Sequence, residues 1–326
     1  MAKWLILLVL ILILSYLFLE LLKSFQGFEW FCINCENISE AVFENFTFSN
    51  LSSIETSAFA PLLYENIRWN HMPLKVYLNV SSGLSLPQFS VSNIENVREA
   101  MQRWENATNK LITFVEVTKA EESDIIVNWV KTFEAGGKKI LGEGGPVVRD
   151  TGLFNLTIRG EIYLLVQRIK CLDITTATHE FGHVLGFDHS KNFQDIMYPT
   201  ADCSQRISEA EVKTLFELYK VPPKPELYFL NASAKKPGKY LNLEFAVKNS
   251  GLITSLKTSV DLVLDNKTVR SFDIPKLEPG ETLVIRISNI MIPSFKVLQL
   301  FVDSKNSNDE IYEDNNFVTL VRLEQA

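Results

Sequence analysis

One run constrains this chain more than any other: Thr178-His179-Glu180-Phe181-Gly182-His183-Val184-Leu185-Gly186-Phe187-Asp188-His189-Ser190. It holds three of the four histidines of the chain. His179 and His183 are four residues apart, so a helix puts them one turn apart on one face. Two imidazoles so placed can grip one metal ion. Glu180 stands beside them without needing to bind, the position of a general base in an H-E-x-x-H site. Gly186 can take a left-handed conformation that ends the helix and turns the chain back. That turn brings His189 round as a third ligand. Three protein ligands leave a fourth tetrahedral position open, the arrangement of a catalytic rather than a structural zinc.

The full spacing H-E-x-x-H-x-x-G-x-x-H resembles that of the metzincins. Met197, within Asp195-Ile196-Met197-Tyr198-Pro199, follows His189 by eight residues and resembles the Met-turn of that group. Ser190 after the third histidine and the run Met-Tyr-Pro are similar to the matrixin branch in particular. The resemblance implies a zinc metalloendopeptidase with His179, His183 and His189 as metal ligands and Glu180 as catalytic base. It implies that Met197 floors the site without ligating. It also implies that Tyr198 and Pro199 border the pocket for the residue after the cut. Many matrixins have a tyrosine two positions beyond that proline; here Ala201 stands there. Animal members use several histidines near residues 136–146 for a second, structural zinc, and none is present here. The resemblance therefore implies one catalytic zinc and lends no support to structural calcium in that neighbourhood.

Compartment is read from the N-terminus. Residues 4–22 are apolar with a single charge, Glu20. As a helix they span roughly 28 Å, close to a bilayer core. Residues 21–25 offer no small-x-small cleavage site, so an uncleaved membrane anchor is expected, with secretion after signal cleavage as the alternative. Eight N-x-S/T triplets, beginning at Asn37, Asn45, Asn50, Asn79, Asn106, Asn155, Asn231 and Asn266, all follow the anchor. They place the bulk of the chain outside the cell. Such a compartment permits disulfides. Cys171 and Cys203 bracket the metal segment and can pair; Cys32 and Cys35 read as a local bridge. The net charge of −7 gives no support for nucleic-acid binding.

Five segments follow: an anchor over residues 1–23, an extracytoplasmic spacer or short pro-segment over 24–68, a catalytic domain over 69–221, a Pro-rich linker over 222–226, and a β-rich domain over 227–326. Leu74, Val76, Leu78 and Val80 alternate as in a half-buried strand. Ser92-Asn93-Ile94-Glu95 reads as a capping box opening a helix, with Ile94, Val97, Met101 and Trp104 on its apolar face. Further strands are expected over residues 111–117, 124–130 and 160–167, and a glycine-rich loop over 136–146. Asp173 or Thr175 is expected to cap the metal helix. Ser208-Glu209-Ala210-Glu211 is a second capping box. The fold class is thus an α+β zincin, with a mixed twisted sheet and helices. Short alternating strands after residue 227 predict an all-β, immunoglobulin-like sandwich of about seven strands. That part resembles CARDB domains, whose ending is similar to residues 302–316. The acidic run there reads as a solvated hairpin, with cation binding as the other reading.

The expected function is peptide-bond hydrolysis outside the cell, with a peptide or protein as partner and the membrane engaged through the N-terminal helix. Two other readings stay open: a non-catalytic surface adhesion protein working through the sandwich, and zinc-dependent hydrolysis of a non-peptide amide. Oligomeric state is not legible.

Overall fold

The computed structural model describes residues 28–32, 59–131, 134–135 and 138–322. The expected anchor and the Cys32–Cys35 pairing lie outside the described residues. Among the described residues no helix is long and apolar enough to cross a membrane. The chain forms two compact units. The first strand, β1 (Phe28–Cys32), belongs to the C-terminal one.

In the other unit, β2 (Ile67–Arg68), β3 (Leu74–Asn79), β4 (Phe114–Val117) and β5 (Ile125–Val130) come first. A two-stranded ribbon, β6 (Glu134–Ala135) and β7 (Lys138–Lys139), follows. Then come β8 (Gly142–Asp150) and β9 (Asn155–Leu165). β9 pairs parallel with β5 and β2, β5 with β3, and β3 with β4. β8 runs antiparallel to β9 and, among the described residues, pairs with no other strand. Leu74 and Val76 on β3, and Ile125 and Val127 on β5, point into the core as their alternation predicts.

Helix α1 (Val91–Ala107) buries Val97, Ala100, Met101 and Trp104, one stripe at helical spacing. It starts slightly earlier than the sequence suggests. Ser90 is the N-cap, and Asn93 Oδ1 accepts its N–H at 2.9 Å. Helix α2 (Lys170–Val184) carries the metal motif. Its expected caps, Asp173 and Thr175, lie inside it, because Asp173 has tertiary partners instead: Asn93 and Asn96 donate to its carboxylate at 3.0 and 2.8 Å. Helix α3 (Glu209–Leu218) opens on the predicted box, with Ser208 N donating to Glu211 Oε2 at 2.6 Å. Arg68 caps its far end, donating to the carbonyls of Leu218 and Val221 at 2.6 and 2.7 Å.

Residues 142–146, expected as loop, open strand β8. Its glycines answer to packing. A Cβ at Gly142 would lie 2.6 Å from Glu180 Oε1, and one at Gly144 2.6 Å from the Glu180 carbonyl. Residues 60–63, read as spacer, are also tied in. Leu63 N donates to Gly186 O at 2.9 Å and Asp188 N to Pro61 O at 3.0 Å. Such irregular backbone pairing leaves no periodic trace in the sequence.

The C-terminal unit adds β10 (Leu227–Lys236), β11 (Tyr240–Asn249), β12 (Thr258–Leu264), β13 (Lys267–Ile274), β14 (Thr282–Met291), β15 (Leu298–Val302) and β16 (Phe317–Arg322). With β1 they form one antiparallel ladder in the order β13-β12-β15-β16-β1-β10-β11-β14. Alternate residues of these strands, Leu241, Leu243, Phe245 and Val247 among them, share one core with Val260, Leu262, Leu298 and Leu300. Seven of the eight strands come from the expected region. The eighth, β1, comes from the stretch read as spacer. The acidic run is a second correction, since Glu310 and Asp303 are 2% and 1% exposed. Those two acids lie in a buried network, while Asp309, Glu313 and Asp314 are exposed as the solvated reading expects.

Candidate metal centre

α1 places α2. Trp104 Nε1 donates to Thr178 O at 2.8 Å, one residue before the first motif histidine. Its ring stacks on Phe187 with centroids 5.7 Å apart. α2 ends as glycine-terminated helices do. Phe187 N donates to Gly182 O and Gly186 N to His183 O, each at 3.0 Å, around Gly186 at φ +107°. The chain then reverses and delivers His189.

The three imidazoles converge. Ring centroids are 4.7 Å apart for His179–His183, 5.3 Å for His179–His189 and 4.8 Å for His183–His189. Their nearest ring nitrogens lie within 4.8 Å of one another. His179 Nδ1 bonds the carbonyl of Ile196 at 2.7 Å, and His183 Nδ1 that of Phe187 at 2.9 Å. A carbonyl only accepts, so both Nδ1 atoms carry the proton. Both Nε2 atoms are then bare lone pairs, yet they face each other at 3.0 Å. Two acceptors in that position repel unless a cation lies between them. Two nitrogens bound to one tetrahedral zinc stand about 3.3 Å apart. The donor set therefore fits zinc. Burial and the neighbouring His183 hold His179 down at about 4, and burial lowers His183 as well, so both stand ready as neutral ligands. His71 is elsewhere, with Nε2 3.0 Å from Asp124 Oδ2. Among the described residues the trio is the only such cluster of His, Cys, Asp and Glu.

Glu180 is 4% exposed and lies against β8. Burial first, and then the charge of Glu143, push its carboxyl up to about 8, while the Gly144 N–H bond pulls the other way. Met197 lies beneath α2, so close that a Cβ at Gly182 would meet its sulfur. Tyr198 is half-buried against Phe193, with centroids 5.4 Å apart, and Pro199 is exposed.

The turn around Met197 is fastened on three sides. Ile196 O holds His179, Met197 O accepts Ser190 N at 2.8 Å, and Asp195 Oδ1 accepts Met197 N at 2.9 Å. Sequence reading missed Asp195 and its neighbour Glu211, although Glu211 was legible as a capping residue. Burial and the Asp195 carboxylate push Glu211 up to about 9. Its Oε1 faces no ordinary donor, so a proton on Glu211 completes the contact with Asp195. The raised folded value means that the native state holds this proton. The stabilisation is full below the unfolded value near 4.5 and is lost as pH rises towards 9. Glu211→Gln keeps an acceptor for Ser208 N and adds a donor for Asp195. It should flatten the fall in melting temperature of the zinc-loaded protein between pH 5 and 9 (the bounds follow the unfolded and folded values). Parallel wild-type and variant melting curves would remove the buried-proton argument.

Cys171 and Cys203 are joined, closing a separation of 32 residues between the first turn of α2 and the segment after the Met-turn. Replacing both by serine is expected to cost about 3–4 kcal/mol of stability by chain entropy. Denaturant melts of the double variant and of reduced wild type should agree; a change below roughly 1 kcal/mol would contradict that account.

Residues 68–220 match the matrixin family model, and residues 224–320 the CARDB model. The chain is similar to Karilysin of Tannerella forsythia, 25% identical over 165 residues, which is 48% of this chain and 34% of that protein. It thus spans about a third of that relative's length. A solved structure of a CARDB domain from Pyrococcus furiosus, in complex with di-metal ions, is 23% identical. The match covers 30% of this chain and 88% of that one, with a TM-score of 0.26.

Proposed function

We propose that this chain, a matrixin domain over residues 68–220 followed by a CARDB domain over 224–320, is a zinc-dependent endopeptidase tethered to the outer face of a membrane. The facing pair of unprotonated Nε2 atoms on His179 and His183, with His189 closing the trio, is the observation that carries this reading.

His179, His183 and His189 would hold the ion. Zinc bound there would supply Lewis acidity and bring the pKa of a ligated water down to about 7. Glu180 takes a proton from the attacking water at its carboxylate and passes it to the leaving amine. The β5 and β9 side of the sheet fixes β8, whose free edge offers backbone N–H and C=O groups to an extended peptide. That edge favours a peptide over another amide. Gly142 and Gly144 keep the edge close to Glu180. Met197 supports the histidines through its backbone neighbours, and Tyr198 and Pro199 border the pocket for the residue after the cut. The antiparallel ladder around a single core supports an immunoglobulin-like sandwich for the C-terminal unit, serving to position the enzyme or engage substrate. Residues 4–22 act as the anchor.

Zinc analysis together with peptide-library cleavage tests the reading. We expect about one zinc per chain and cleavage within chains rather than at their ends, abolished by a zinc chelator and restored by zinc. A zinc-free or catalytically inert protein would leave a surface binding module.

A further inference from the structure

Eight Asn-x-Ser/Thr triplets mark the sequence, and the proposed catalysis uses none of them. Asn37, Asn45 and Asn50 lie outside the described residues. The structure separates the other five. A glycan is bulky and hydrated, so the folded chain must carry it in open space, whether it is added before or after folding. Two of the five asparagines have their amide nitrogen engaged. Asn79 Nδ2 donates to Asn128 Oδ1 at 2.8 Å, and Asn155 Nδ2 to Glu65 O at 2.9 Å. Asn106 is exposed but sits in the last turn of α1. The threonine of its triplet, Thr108, is 0% exposed and donates to Trp104 O at 2.7 Å. Asn231 is exposed as well, yet its triplet lies within β10, where Ser233 is paired on one side with Phe31 of β1 and on the other with Glu244 of β11.

Asn266 differs on each count. Asp265 and Asn266 make the two-residue turn of the β12–β13 hairpin, with Leu264 opposite Lys267. Both have positive φ, +47° and +64°, the left-handed pair that such a turn requires and that Asp and Asn tolerate. Asp265 does the fastening. Its Oδ1 accepts from Lys296 N and from Val297 N, each at 2.9 Å. The Asn266 side chain is left without a hydrogen-bond partner among the described residues. Asn266, Lys267 and Thr268 are all exposed, and no other described triplet is exposed throughout. They lead into β13, an outer strand of the ladder that is exposed along most of its length.

We propose that Asn266 carries an N-linked glycan, transferred from a lipid-linked oligosaccharide. In the transfer, Asn266 Nδ2 attacks C1 of the first sugar. The new N–C bond replaces the bond from C1 to the lipid phosphate. That phosphate leaves with the electron pair, and one amide proton passes to the transferase. Thr268 supplies the hydroxyl by which such a triplet is recognised. A loop tip is the place where an added group disturbs the fold least. This inference rests on the outward-facing part of the reading above and not on catalysis.

Glycopeptide mass mapping of the full chain, purified from the cells that make it, is the test. The peptide containing Asn266 should carry sugar. Asn266→Gln and Thr268→Ala should each remove that mass entirely, while Thr268→Ser should keep it. A bare Asn266 peptide would overturn the inference, and so would sugar that persists there in Thr268→Ala. Outward placement is read separately, by labelling intact cells with a membrane-impermeant amine reagent. Label on the chain with Asn266 bare would sink the glycan alone; neither label nor sugar would sink the placement as well.

Discussion

Glu180→Gln is expected to keep zinc and to lower kcat/KM for peptide cleavage by roughly 10³-fold, within the range set by removing a general base. The substitution preserves the shape of the side chain. β8 approaches so closely that Gly142 and Gly144 have no room for a Cβ, and an isosteric amide leaves that packing alone. What disappears is proton transfer. The nearest other acid named by its charge, Glu143, lies on the exposed side of β8. It touches the site through its field, so Glu143→Gln should change the rate less than about tenfold. Zinc content by mass spectrometry and initial rates on a quenched peptide decide the matter. A Glu180→Gln protein cutting at the wild-type rate would deny Glu180 its role. One that had lost its zinc would make the residue a scaffold of the metal site.

The candidate metal centre is legible because its signal is local. Three histidines, a carboxylate and a glycine within eleven residues encode a helix face and the turn that follows it. Ser208 and Glu211 were legible for the same reason, a four-residue box with a local hydrogen bond. The misses depend on distant partners. The low strand propensity of glycine makes the start of β8 read as a loop, yet these glycines answer to Glu180, distant in sequence. Asp173 reads as a cap because acids favour helix starts, while Asn93 and Asn96 bond its carboxylate. Composition alone assigns the acidic run at 310–316 to solvent. Its partners, Glu226 and Leu227, lie about 85 positions upstream. β1 shows the extreme case, a five-residue strand whose neighbours on both sides begin after residue 226.

The largest effect on the fold itself is expected from Gly186→Ala. Gly186 sits at φ +107°, a conformation that side chains of the L series rarely adopt, at about 1–3 kcal/mol. A Cβ there would also lie 2.6 Å from Cγ2 of Ile67, which is fully buried on β2. Overpacking of a tight core adds about 1–3 kcal/mol. Together the loss should reach roughly 3–5 kcal/mol. The damage should not stop at stability. Phe187 O, next in the chain, holds His183 Nδ1, and His189 follows two residues later. A turn that opens loses the carbonyl that orients His183 and misplaces His189, so zinc retained after dialysis should fall together with the melting temperature. Ile67→Ala separates the two causes. In the double variant the clash is gone while the backbone strain remains, so part of the packing loss should return and the zinc deficit should persist. Full zinc occupancy in Gly186→Ala would mean that His189 reaches the ion without this turn, and the geometric account of the third ligand would fall with it.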